Sequence, residues 1–558
     1  MGLNLDEIKN YISEIPFVKK IYFLEQGDFS INSKVEINFE ELDSTLDFEV
    51  EIQPQYPLKS YDTESITFKN KELIAYNHVM ESGNICVHTM HSTNLKQKLN
   101  VDFNALKNWI TKYYINKDKD LNYEHIIVSE NTIKDNYYAF LFTDINREFK
   151  KGDYGDVQLS FLNNCPYKEK TILNYVVQGF VPFKQEPVKC EWSNIYENYI
   201  ITNNGFFIFI EDVPAKHKRF AFKNWVDFEG ILPDDFLTLL HHFERDNIKK
   251  SNGNVIPLFI GYRTIKTEIH WEVAMLEVGK FPFYGVPEKN NNTKTGKWIS
   301  KLIDEEIIWS LSRNSSYRYF FGRGTLSQKI TEKRILIIGV GAIGSMVAKT
   351  IVRGGCKHID FVDYDIKEPE NVCRSEYMFI SGITKKTEEL KNILSGISPF
   401  VNIQPLNNNY FETLIKTFHN DEKYKIKFAS EMNKYDLIFD CTTDNDLMYV
   451  LNSLNLNSEL INMSITNHAK ELVCAFHPNI FHFVNNQFGN VLENDIEDLY
   501  NPIGCWSPTF KASYNDINVL VQLAIKHINI LFEEDRPKNN FVIKSEENNP
   551  SNLNVVEF

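Results

Sequence analysis

The segment RILIIGVGAIG, residues 334–344, decides the fold of the C-terminal half of this chain. Its apolar first part has the length and β-branched character of a buried strand, and an apolar helical pattern follows its last glycine. Between them lie Gly339, Gly341 and Gly344. Side chains there would keep backbone N–H groups and the helix N-terminus away from a phosphate, so the segment predicts a nucleotide-binding strand, turn and helix.

A second strand-like run, HIDFV at residues 358–362, ends in Asp363. Asp363 follows Gly344 by about 20 residues, the spacing at which a carboxylate accepts hydrogen bonds from a ribose hydroxyl. This pattern fits a dinucleotide dehydrogenase as well as an adenylating enzyme. The polar residues that follow favour adenylation, because attack of a carboxylate on an α-phosphate builds up negative charge that fixed donors and cations must meet. They are Asp363, Asp365, Asn371, Arg374, Gly382 and Lys385.

A further strand-like run, DLIFDC at residues 436–441, leads into Thr443, Asp444 and Asn445. Carboxylates at the carboxyl ends of parallel strands point into the ligand crevice of such sheets. We therefore expect Asp444 to hold Mg²⁺ beside bound ATP.

Five motifs of this half occur in the order and spacing of a known family: GVGAIG, DYD, NVCR, GITK and TDN. They resemble the adenylation domain of ubiquitin-activating enzymes and their bacterial ThiF and MoeB relatives, over most of residues 312–558. The resemblance implies that Asp363 holds the ATP ribose and Asp444 the metal. Arg323 resembles the arginine that family members supply across a homodimer, with Arg318 as the alternative. The implied phosphate contacts come from Asn371, Arg374 and Lys385.

Cys505 is the predicted thiol for the step after adenylation. It lies in NPIGCWSPTF, residues 501–510, a loop before an amphipathic helical pattern. The dipole of a following helix gives a cysteine thiolate character, whereas the alternative is a buried structural cysteine. The GCxxPTF string resembles the activating cysteine of bacterial fused activating and conjugating enzymes, which favours a thioester role. We interpret the other cysteines of this half as structural: Cys356, Cys373, Cys441 and Cys474.

The first 125 residues carry a different pattern. LDFEVEI at residues 46–52 alternates strictly and predicts a half-exposed antiparallel strand. An early helix, further strands and a later helix, for which we predict Asp102 as the cap, surround it. With His78 and the GNIC turn that ends at Cys86, this order resembles the ubiquitin-conjugating fold. The resemblance implies that Cys86 carries a thioester.

One departure from that family concerns the segment before the cysteine. Conventional conjugating enzymes carry His-Pro-Asn there, and the asparagine stabilises the oxyanion formed during aminolysis, whereas this chain has His78-Val-Met. The replacement for that asparagine stays open among Asn77, Asn84 and backbone donors. His88 is interpreted as a base or as a surface histidine.

Length and composition agree with three domains. We predict a ubiquitin-conjugating-like α+β domain at 1–125, an α+β linker domain at 126–311 and a Rossmann-like ThiF-type adenylation domain at 312–558, an α/β and α+β multidomain protein. With 558 residues, 43% of them hydrophobic, the chain can bury sizeable cores. The net charge of −15 argues against a nucleic-acid partner. No signal peptide or long apolar span is recognisable, so we expect a cytoplasmic protein without a membrane partner, where two reactive thiols stay reduced.

The order of these parts most resembles the fused enzymes of bacterial CBASS anti-phage operons. That resemblance implies adenylation of a partner protein's C-terminal carboxylate, a cGAS/DncV-like nucleotidyltransferase in that family, then a relay from Cys505 to Cys86 and transfer to a target lysine. The chain ends in NVVEF rather than Gly-Gly, so we expect the activated carboxylate on another protein. Alternatives are a ubiquitin-like modifier as acyl donor, a sulfur-carrier adenylyltransferase, a non-catalytic interaction protein and an NAD-dependent oxidoreductase.

Overall fold

The structure, a computed structural model, describes residues 4–60, 63–118, 126–264, 268–287, 298–492, 512–546 and 549–558. Cys505 lies outside the described residues. Three large sheets organise the chain, one in each of three consecutive regions. The residue numbers at which we place the domain boundaries stay predictions. In the described part of the chain, no helix combines the length and the apolar character that crossing a membrane requires.

The N-terminal region is a four-stranded antiparallel sheet with one helix before it and one after it. The buried side chains of the second strand alternate with half-buried ones, as its sequence INSKVEI requires of a sheet with one covered face. Both helices pack on that covered face, where their apolar side chains join those of the strands in one core. The elements are α1 (Leu5–Ser13), β1 (Val18–Gln26), β2 (Ile31–Ile37), β3 (Leu46–Ile52), β4 (Ile66–Lys69) and α2 (Leu95–Trp109).

The predicted cap at Asp102 is wrong, because Asp102 lies inside α2. The helix begins at Leu95, and the side chain of Asn94 caps it by accepting a hydrogen bond from the Gln97 N–H at 2.9 Å. Buried Asp102 accepts hydrogen bonds from the Tyr56 hydroxyl at 2.8 Å and from Thr89 Oγ1 at 2.7 Å, and it pairs with Lys98. Tyr56 and Thr89 lie outside α2, so the local sequence around Asp102 could not reveal them and indicated a cap.

The central region is built on an eight-stranded mixed sheet in the order β13-β12-β9-β6-β7-β5-β16, with β8 at the side of β7. The apolar run FFIFI forms the buried middle of β9, which pairs in parallel with β12. The elements are β5 (Asn136–Phe142), β6 (Tyr154–Tyr167), β7 (Lys170–Pro182), β8 (Val188–Lys189), α3 (Asn194–Glu197), β9 (Asn203–Glu211), β10 (Ala215–Lys216), β11 (Phe220–Ala221), α4 (Asp234–Ser251), β12 (Val255–Arg263), β13 (Ile269–Glu277), β14 (Phe283–Pro287), β15 (Trp298–Leu302) and β16 (Leu311–Asn314).

The C-terminal region is a three-layer α/β unit, as predicted from its strand and helix pattern. Its sheet has the order β19-β18-β17-β20-β21-β22-β23-β24, parallel from β19 to β21 and antiparallel beyond. The elements are α5 (Tyr317–Phe321), α6 (Gln328–Thr331), β17 (Arg334–Ile338), α7 (Ala342–Arg353), β18 (His358–Val362), α8 (Lys386–Ile397), β19 (Asn402–Pro405), α9 (Asn409–Thr417), α10 (Glu422–Met432), β20 (Leu437–Asp440), α11 (Asn445–Asn452), β21 (Glu459–Ile465), β22 (Glu471–Phe476), α12 (Ile480–Leu492), α13 (Tyr514–Glu533), β23 (Phe541–Glu546) and β24 (Asn549–Glu557).

Both faces of this sheet are covered, which explains why its strands read as continuous apolar runs. In β17, Ile335 and Ile337 face a core shared with α7 and α13, whereas Leu336 and Ile338 face a second core shared with α9 to α12. The strand order reverses between β17 and β20. Ligands of such sheets bind at the carboxyl ends of the strands that flank this reversal.

Candidate active site

Two different physical causes explain why glycine occurs at the three positions after β17. Gly339 has φ of +78°, and a Cβ there would lie 2.9 Å from Thr442 Cγ2. A Cβ on Gly344 would lie 2.0 Å from the carbonyl oxygen of Gly339. At Gly341, by contrast, no described heavy atom outside its chain neighbours lies within 4 Å of the Cβ position. The fold itself requires Gly339 and Gly344. Gly341 instead leaves open space in front of α7, where a phosphate can approach.

Asp363, at the end of β18, is fixed against the loop of residues 339–344, which we call the glycine loop. Its carboxylate accepts hydrogen bonds from the Val340 N–H at 2.8 Å and from the Asp365 N–H at 2.9 Å. Burial raises the pKa of the Asp363 carboxyl, and these backbone donors and Lys386 oppose that rise. The carboxylate therefore has a defined position at the point where the sequence predicts a ribose.

The chain between β18 and α8 folds back on itself and brings Lys385 beside the DYD motif. Ile366 and Lys385 form a β-bridge, and the Lys367 N–H donates to the Thr384 carbonyl at 2.8 Å. Lys386 forms an ion pair of 2.5 Å with Asp365. Lys385 itself is exposed. The backbone of Lys385 is thus held beside Ile366, three residues after Asp363, and its side chain is exposed to solvent.

A buried ion pair that sequence reasoning missed fixes the middle of this segment. Lys367 Nζ lies 2.8 Å from Glu389 Oε2, and both side chains are almost fully buried. Lys367 also donates to the Met378 carbonyl at 2.6 Å, and Glu389 Oε1 accepts from the Met378 N–H at 2.7 Å. Both residues thus hold the backbone at Met378, and no local pattern distinguishes them from surface charges.

Asn371 and Arg374 lie on a 3₁₀-helix, Pro369–Arg374, that is tied to the glycine loop. Asn371 Oδ1 accepts from the Glu368 N–H at 2.9 Å and so begins the helix. Shortly after Arg374, the Tyr377 hydroxyl donates to the Val340 carbonyl. This contact ties the chain just after the 3₁₀-helix to the glycine loop, and Arg374 is half-buried. The phosphate role of Arg374 stays a prediction.

Asp444 caps α11 at the carboxyl end of β20. Its Oδ1 accepts hydrogen bonds from the Asp446 N–H at 2.9 Å and the Leu447 N–H at 3.0 Å, and the residue is exposed. Since β20 pairs directly with β17, this carboxylate lies at the strand end next to the glycine loop. Mg²⁺ in nucleotide sites is held by one or two carboxylates together with phosphate oxygens, and an exposed carboxylate in this position fits that arrangement.

Below Asp444 lies a buried polar network centred on Asp440. Its carboxylate accepts hydrogen bonds from Thr442 Oγ1 at 2.7 Å and from Asn462 Nδ2 at 2.9 Å. Burial raises the pKa of the Asp440 carboxyl. Asp440 is the last residue of β20, directly after its apolar run. This position of a carboxylate at a strand end is the sequence feature that could have identified Asp440 as a site residue. The network sets the path of the chain into Thr443, whose φ is +57°.

The structure separates the two arginines proposed for the contact across a dimer. The Arg318 guanidinium forms an ion pair with Glu268 of the central region. Arg323 is exposed in the loop between α5 and α6. Arg318 is thus engaged within its own chain, which favours Arg323 for a contact with a partner subunit.

Cys86 lies at the end of a narrow turn that we call the Cys86 hairpin, residues 78–86. The Cys86 N–H donates to the His78 carbonyl at 2.7 Å, and Val79 and Ile85 form an antiparallel bridge. Cys86 is half-buried; burial raises the pKa of its thiol, and the positive charge of Arg219 opposes that rise. Cys86 is thus partly exposed at the surface of the N-terminal region.

Three other predicted participants near Cys86 have defined positions. Asn77 donates its side-chain amide to the Asp118 carbonyl at 3.3 Å, while Asn84 is half-buried within the hairpin. His88 is exposed. Because the Asn77 amide is engaged, Asn84 and backbone N–H groups are the better placed of the predicted oxyanion donors.

The chain that follows the predicted thiol Cys505 returns to the described structure beside the glycine loop. α13 begins at Tyr514, whose hydroxyl donates to Glu376 Oε1 at 2.7 Å. Glu376 in turn pairs with Lys349 of α7, and its N–H donates to Ser345 Oγ at 3.3 Å.

Three of the cysteines interpreted as structural are buried in the C-terminal cores. Burial raises the thiol pKa of Cys356, Cys441 and Cys474 above its ordinary value. Such thiols are poor nucleophiles because the thiolate is the reactive form. Cys373, in contrast, is exposed on the 3₁₀-helix that carries Arg374.

Comparison with known proteins places the C-terminal region in a family context. The model of the ThiF family matches residues 311–475, which include the glycine loop, Asp363, Lys385 and Asp444. Among solved structures, the Escherichia coli MccB structure with ATP is similar at 18% identity and a TM-score of 0.28, over 41% of this chain and 64% of that one.

Three curated relatives share sequence with the chain. The "ATP-dependent ubiquitin transferase-like protein Cap2" of Enterobacter hormaechei is 26% identical over 277 residues, 47% of this chain and 43% of that protein. The "tRNA threonylcarbamoyladenosine dehydratase 2" of Saccharomyces cerevisiae is 26% identical over 29% of this chain and 34% of its own length. The "Ubiquitin-like modifier-activating enzyme 5" of Caenorhabditis elegans is 29% identical over 22% of this chain and 29% of its own length. The chain thus spans less than half the length of each of these relatives. Together with the family model, these relatives support a ThiF-type region at residues 311–475.

Proposed function

We propose that this protein is an ATP-dependent conjugating enzyme: it adenylates the C-terminal carboxylate of a partner protein, carries the acyl group as a thioester on Cys505 and then on Cys86, and transfers it to a lysine. The observation that carries the proposal is the open space at Gly341. Asp363 is fixed next to it by the Val340 N–H, and the chain around Lys385 folds back onto Ile366, shortly after Asp363. An adenylation site needs this combination of phosphate access and fixed polar groups.

In the first step a carboxylate oxygen attacks the α-phosphorus of ATP. The bond from that phosphorus to the bridging oxygen breaks, and pyrophosphate leaves. Charge on the phosphoryl oxygens is met by Asn371, Arg374 and Lys385, and by Arg323 of the second subunit in a homodimer. Mg²⁺ held by Asp444 neutralises phosphate charge when it is bound. The adenylate makes the carbonyl carbon electrophilic enough for a thiol.

In the later steps the acyl group passes between two sulfurs. The Cys505 thiolate attacks the adenylate carbonyl, the carbon–oxygen bond breaks and AMP leaves. The Cys86 thiolate then attacks this thioester and releases Cys505, and a lysine amine finally releases Cys86 and forms an isopeptide bond. The return of the chain at Tyr514, beside the glycine loop, supports a role for the segment that contains Cys505.

The acyl donor is proposed to be a protein C-terminus, either of a cGAS/DncV-like nucleotidyltransferase or of a ubiquitin-like modifier. The Enterobacter relative is named a ubiquitin transferase-like protein, which supports a protein substrate. The net charge of −15 favours association with a basic tail or target. A reducing cytoplasm is the proposed location, since it keeps both thiols free.

The test of the nucleotide site compares two glycines that both face open space. Gly341→Val adds a side chain where we place the phosphates, and Gly396→Val adds one on α8, where a Cβ likewise meets no described atom within 4 Å. ATP with Mg²⁺ at about 100 times its Kd should stabilise the wild type and Gly396→Val by about 2.7 kcal/mol in thermal unfolding. Gly341→Val should fold but gain no such stabilisation.

NADH serves as the competing ligand in the same measurement. We expect no stabilisation of any variant by NADH. A shift of the unfolding temperature by NADH but not by ATP, or an undiminished ATP effect in Gly341→Val, contradicts the proposal and supports the dehydrogenase alternative.

A further inference from the structure

A buried arginine of the central region reaches into the N-terminal region beside Cys86. Arg219 lies at the tip of the hairpin formed by β10 and β11, and only 6% of its surface is exposed. Its Nη1 donates to the carbonyls of Ile74, at 3.4 Å, and Tyr76, and its Nη2 donates to the carbonyl of Val79 at 2.8 Å. One guanidinium group therefore holds three backbone carbonyls of a different region.

These three carbonyls belong to the segment that shapes the Cys86 hairpin. Val79 is the partner of Ile85 across the hairpin, and His78, with φ of +61°, accepts the hydrogen bond from the Cys86 N–H. Arg219 thus binds one side of the hairpin while Cys86 lies on the other. A movement of Val79 would be passed to Cys86 through these two backbone contacts.

The chemistry of arginine explains this position. A guanidinium group is planar, permanently charged and offers five N–H donors in a fixed fork, so it can bind several carbonyls at once. A lysine ammonium in the same place keeps the charge but not the fork. The side chain also contributes its positive charge to the surroundings of the Cys86 thiol, where it counteracts the effect of burial on the thiol pKa.

We infer that Arg219 is a positioning residue of the Cys86 site, supplied by the central region: its guanidinium group holds the Cys86 hairpin in shape. The inference rests on the proposed thioester role of Cys86. It means that the central region is part of the conjugating site. The N-terminal region without it would lack both the support of the hairpin and the charge.

Other charged groups around the hairpin have their own partners. Glu81 forms an exposed ion pair of 2.8 Å with Lys223, again of the central region, and Lys59 pairs with Glu64 at 2.6 Å. The His78 ring packs against Tyr113, with 4.6 Å between ring centroids. Lys223 is therefore a matched control for Arg219, because it joins the same two regions at the same hairpin through an exposed contact.

The experiment measures the alkylation of Cys86 by iodoacetamide in the full-length protein, followed by peptide mass spectrometry between pH 6.5 and 9.5. Loss of a nearby charge raises a pKa by about one unit, so Arg219→Gln should slow alkylation at pH 7.5 by about 3- to 10-fold and move the pH midpoint upward. Arg219→Lys should give a smaller change in the same direction, because the fork is lost and the charge is kept. Lys223→Ala should match the wild type.

Thermal unfolding of each variant separates this effect from loss of the fold. A merely structural Arg219 would change the unfolding temperature and leave the pH profile of Cys86 where it is. Superimposable profiles of wild type and Arg219→Gln overturn the inference, as does an equal shift in Lys223→Ala. If Arg219→Gln does not fold, Arg219→Lys decides alone, and a profile identical to the wild type overturns the inference.

Alkylation needs no acyl donor, so this result is independent of the conjugation reaction. If Cys86 shows the expected profiles but never carries an acyl group, the proposed function fails while the role of Arg219 for the thiol stands. The reverse outcome, acyl transfer by wild type and unchanged profiles in the variants, leaves the function intact and removes Arg219 from the site.

Discussion

At the scale of single residues, the site separates groups that the fold needs from groups that it does not. Gly339 and Gly344 are required by their own surroundings, whereas Gly341 is surrounded by open space. Asp363 is bound by two backbone N–H groups, whereas Asp444 uses one oxygen as a cap and stays exposed. Gly341, and Asp444 when its replacement can still cap α11, are therefore the best places to test ligand binding, because such replacements leave the structure intact.

Asp444→Asn should remove the metal contribution to ATP binding while the fold is kept. Asparagine caps a helix as well as aspartate does, so the unfolding temperature without ligand should not change. The additional stabilisation that Mg²⁺ gives to the ATP complex should fall by about 1.4 kcal/mol, which corresponds to tenfold weaker binding. Asp446→Asn, at an exposed carboxylate on the same helix, should keep the full Mg²⁺ effect. An undiminished Mg²⁺ effect in Asp444→Asn would assign the metal to another group.

At the scale of elements, the segment between β18 and α8 carries most of the predicted phosphate ligands. It has little regular structure of its own, and the buried pair of Lys367 and Glu389 holds it near its middle. Removal of one partner of a buried ion pair leaves the other charge unpaired, which costs several kcal/mol. The segment should therefore depend on this pair for its shape.

Glu389→Gln is expected to lower the free energy of local opening of residues 364–386 by about 3 kcal/mol. Hydrogen exchange followed by mass spectrometry measures this as faster exchange in the peptides of that segment. Glu388→Gln, at the exposed neighbouring position of α8, should change protection by less than about 0.5 kcal/mol. Equal exchange in both variants would show that other contacts determine the segment.

The regular elements were largely predictable because their signals are local. The strict alternation of residues 46–52 gives β3, the apolar runs give β17 and β18, and the glycine spacing gives the turn into α7. Each of these patterns reports which faces of an element are buried. The order of the motifs also predicted a common site for Asp363, Lys385 and Asp444, and Asp363 and Asp444 do follow the two strands that pair with β17.

Local sequence patterns could not predict the buried polar residues whose hydrogen-bond partners are distant in the sequence. Asp102 has the sequence context of a helix cap and is instead bound by Tyr56, 46 residues earlier. Arg219 stands in a stretch without any motif, and its three partners lie more than 100 residues before it. Only the tertiary structure shows which charge is buried and what it binds.

At the scale of the whole molecule, four exposed apolar side chains lie on the same segment of the chain as the predicted phosphate ligands. Tyr364, Phe379, Ile380 and Ile383 are all largely exposed, Ile380 by 90%. Contiguous exposed apolar side chains mark interaction surfaces. We propose that these four side chains form a surface that contacts the second subunit of the proposed homodimer, which would bring the partner's copy of the Arg323 loop to the site.

The double variant Phe379→Asp and Ile380→Asp should be monomeric in sedimentation velocity where the wild type is dimeric, because two buried carboxylates oppose association. Ile200→Asp is the matched control, since Ile200 is 83% exposed in the central region. It should remain dimeric. A monomeric wild type, or a double variant that still forms dimers, contradicts the assignment of this surface.

The relay between two thiols is the prediction that concerns all three regions at once. In cells that contain the acyl donor, wild-type protein isolated without reductant should carry a thiol-sensitive adduct on Cys86. Cys505→Ala should lose this adduct, since the acyl group reaches Cys86 only through Cys505, whereas Cys86→Ala should retain one on Cys505. Mass spectrometry of the attached chain identifies the donor, and alkylation of Cys86 in Cys505→Ala serves as the control that its site is intact. A Cys86 adduct that survives in Cys505→Ala would mean that Cys86 is loaded directly from the adenylate, because no other activated acyl group precedes it in the proposed sequence.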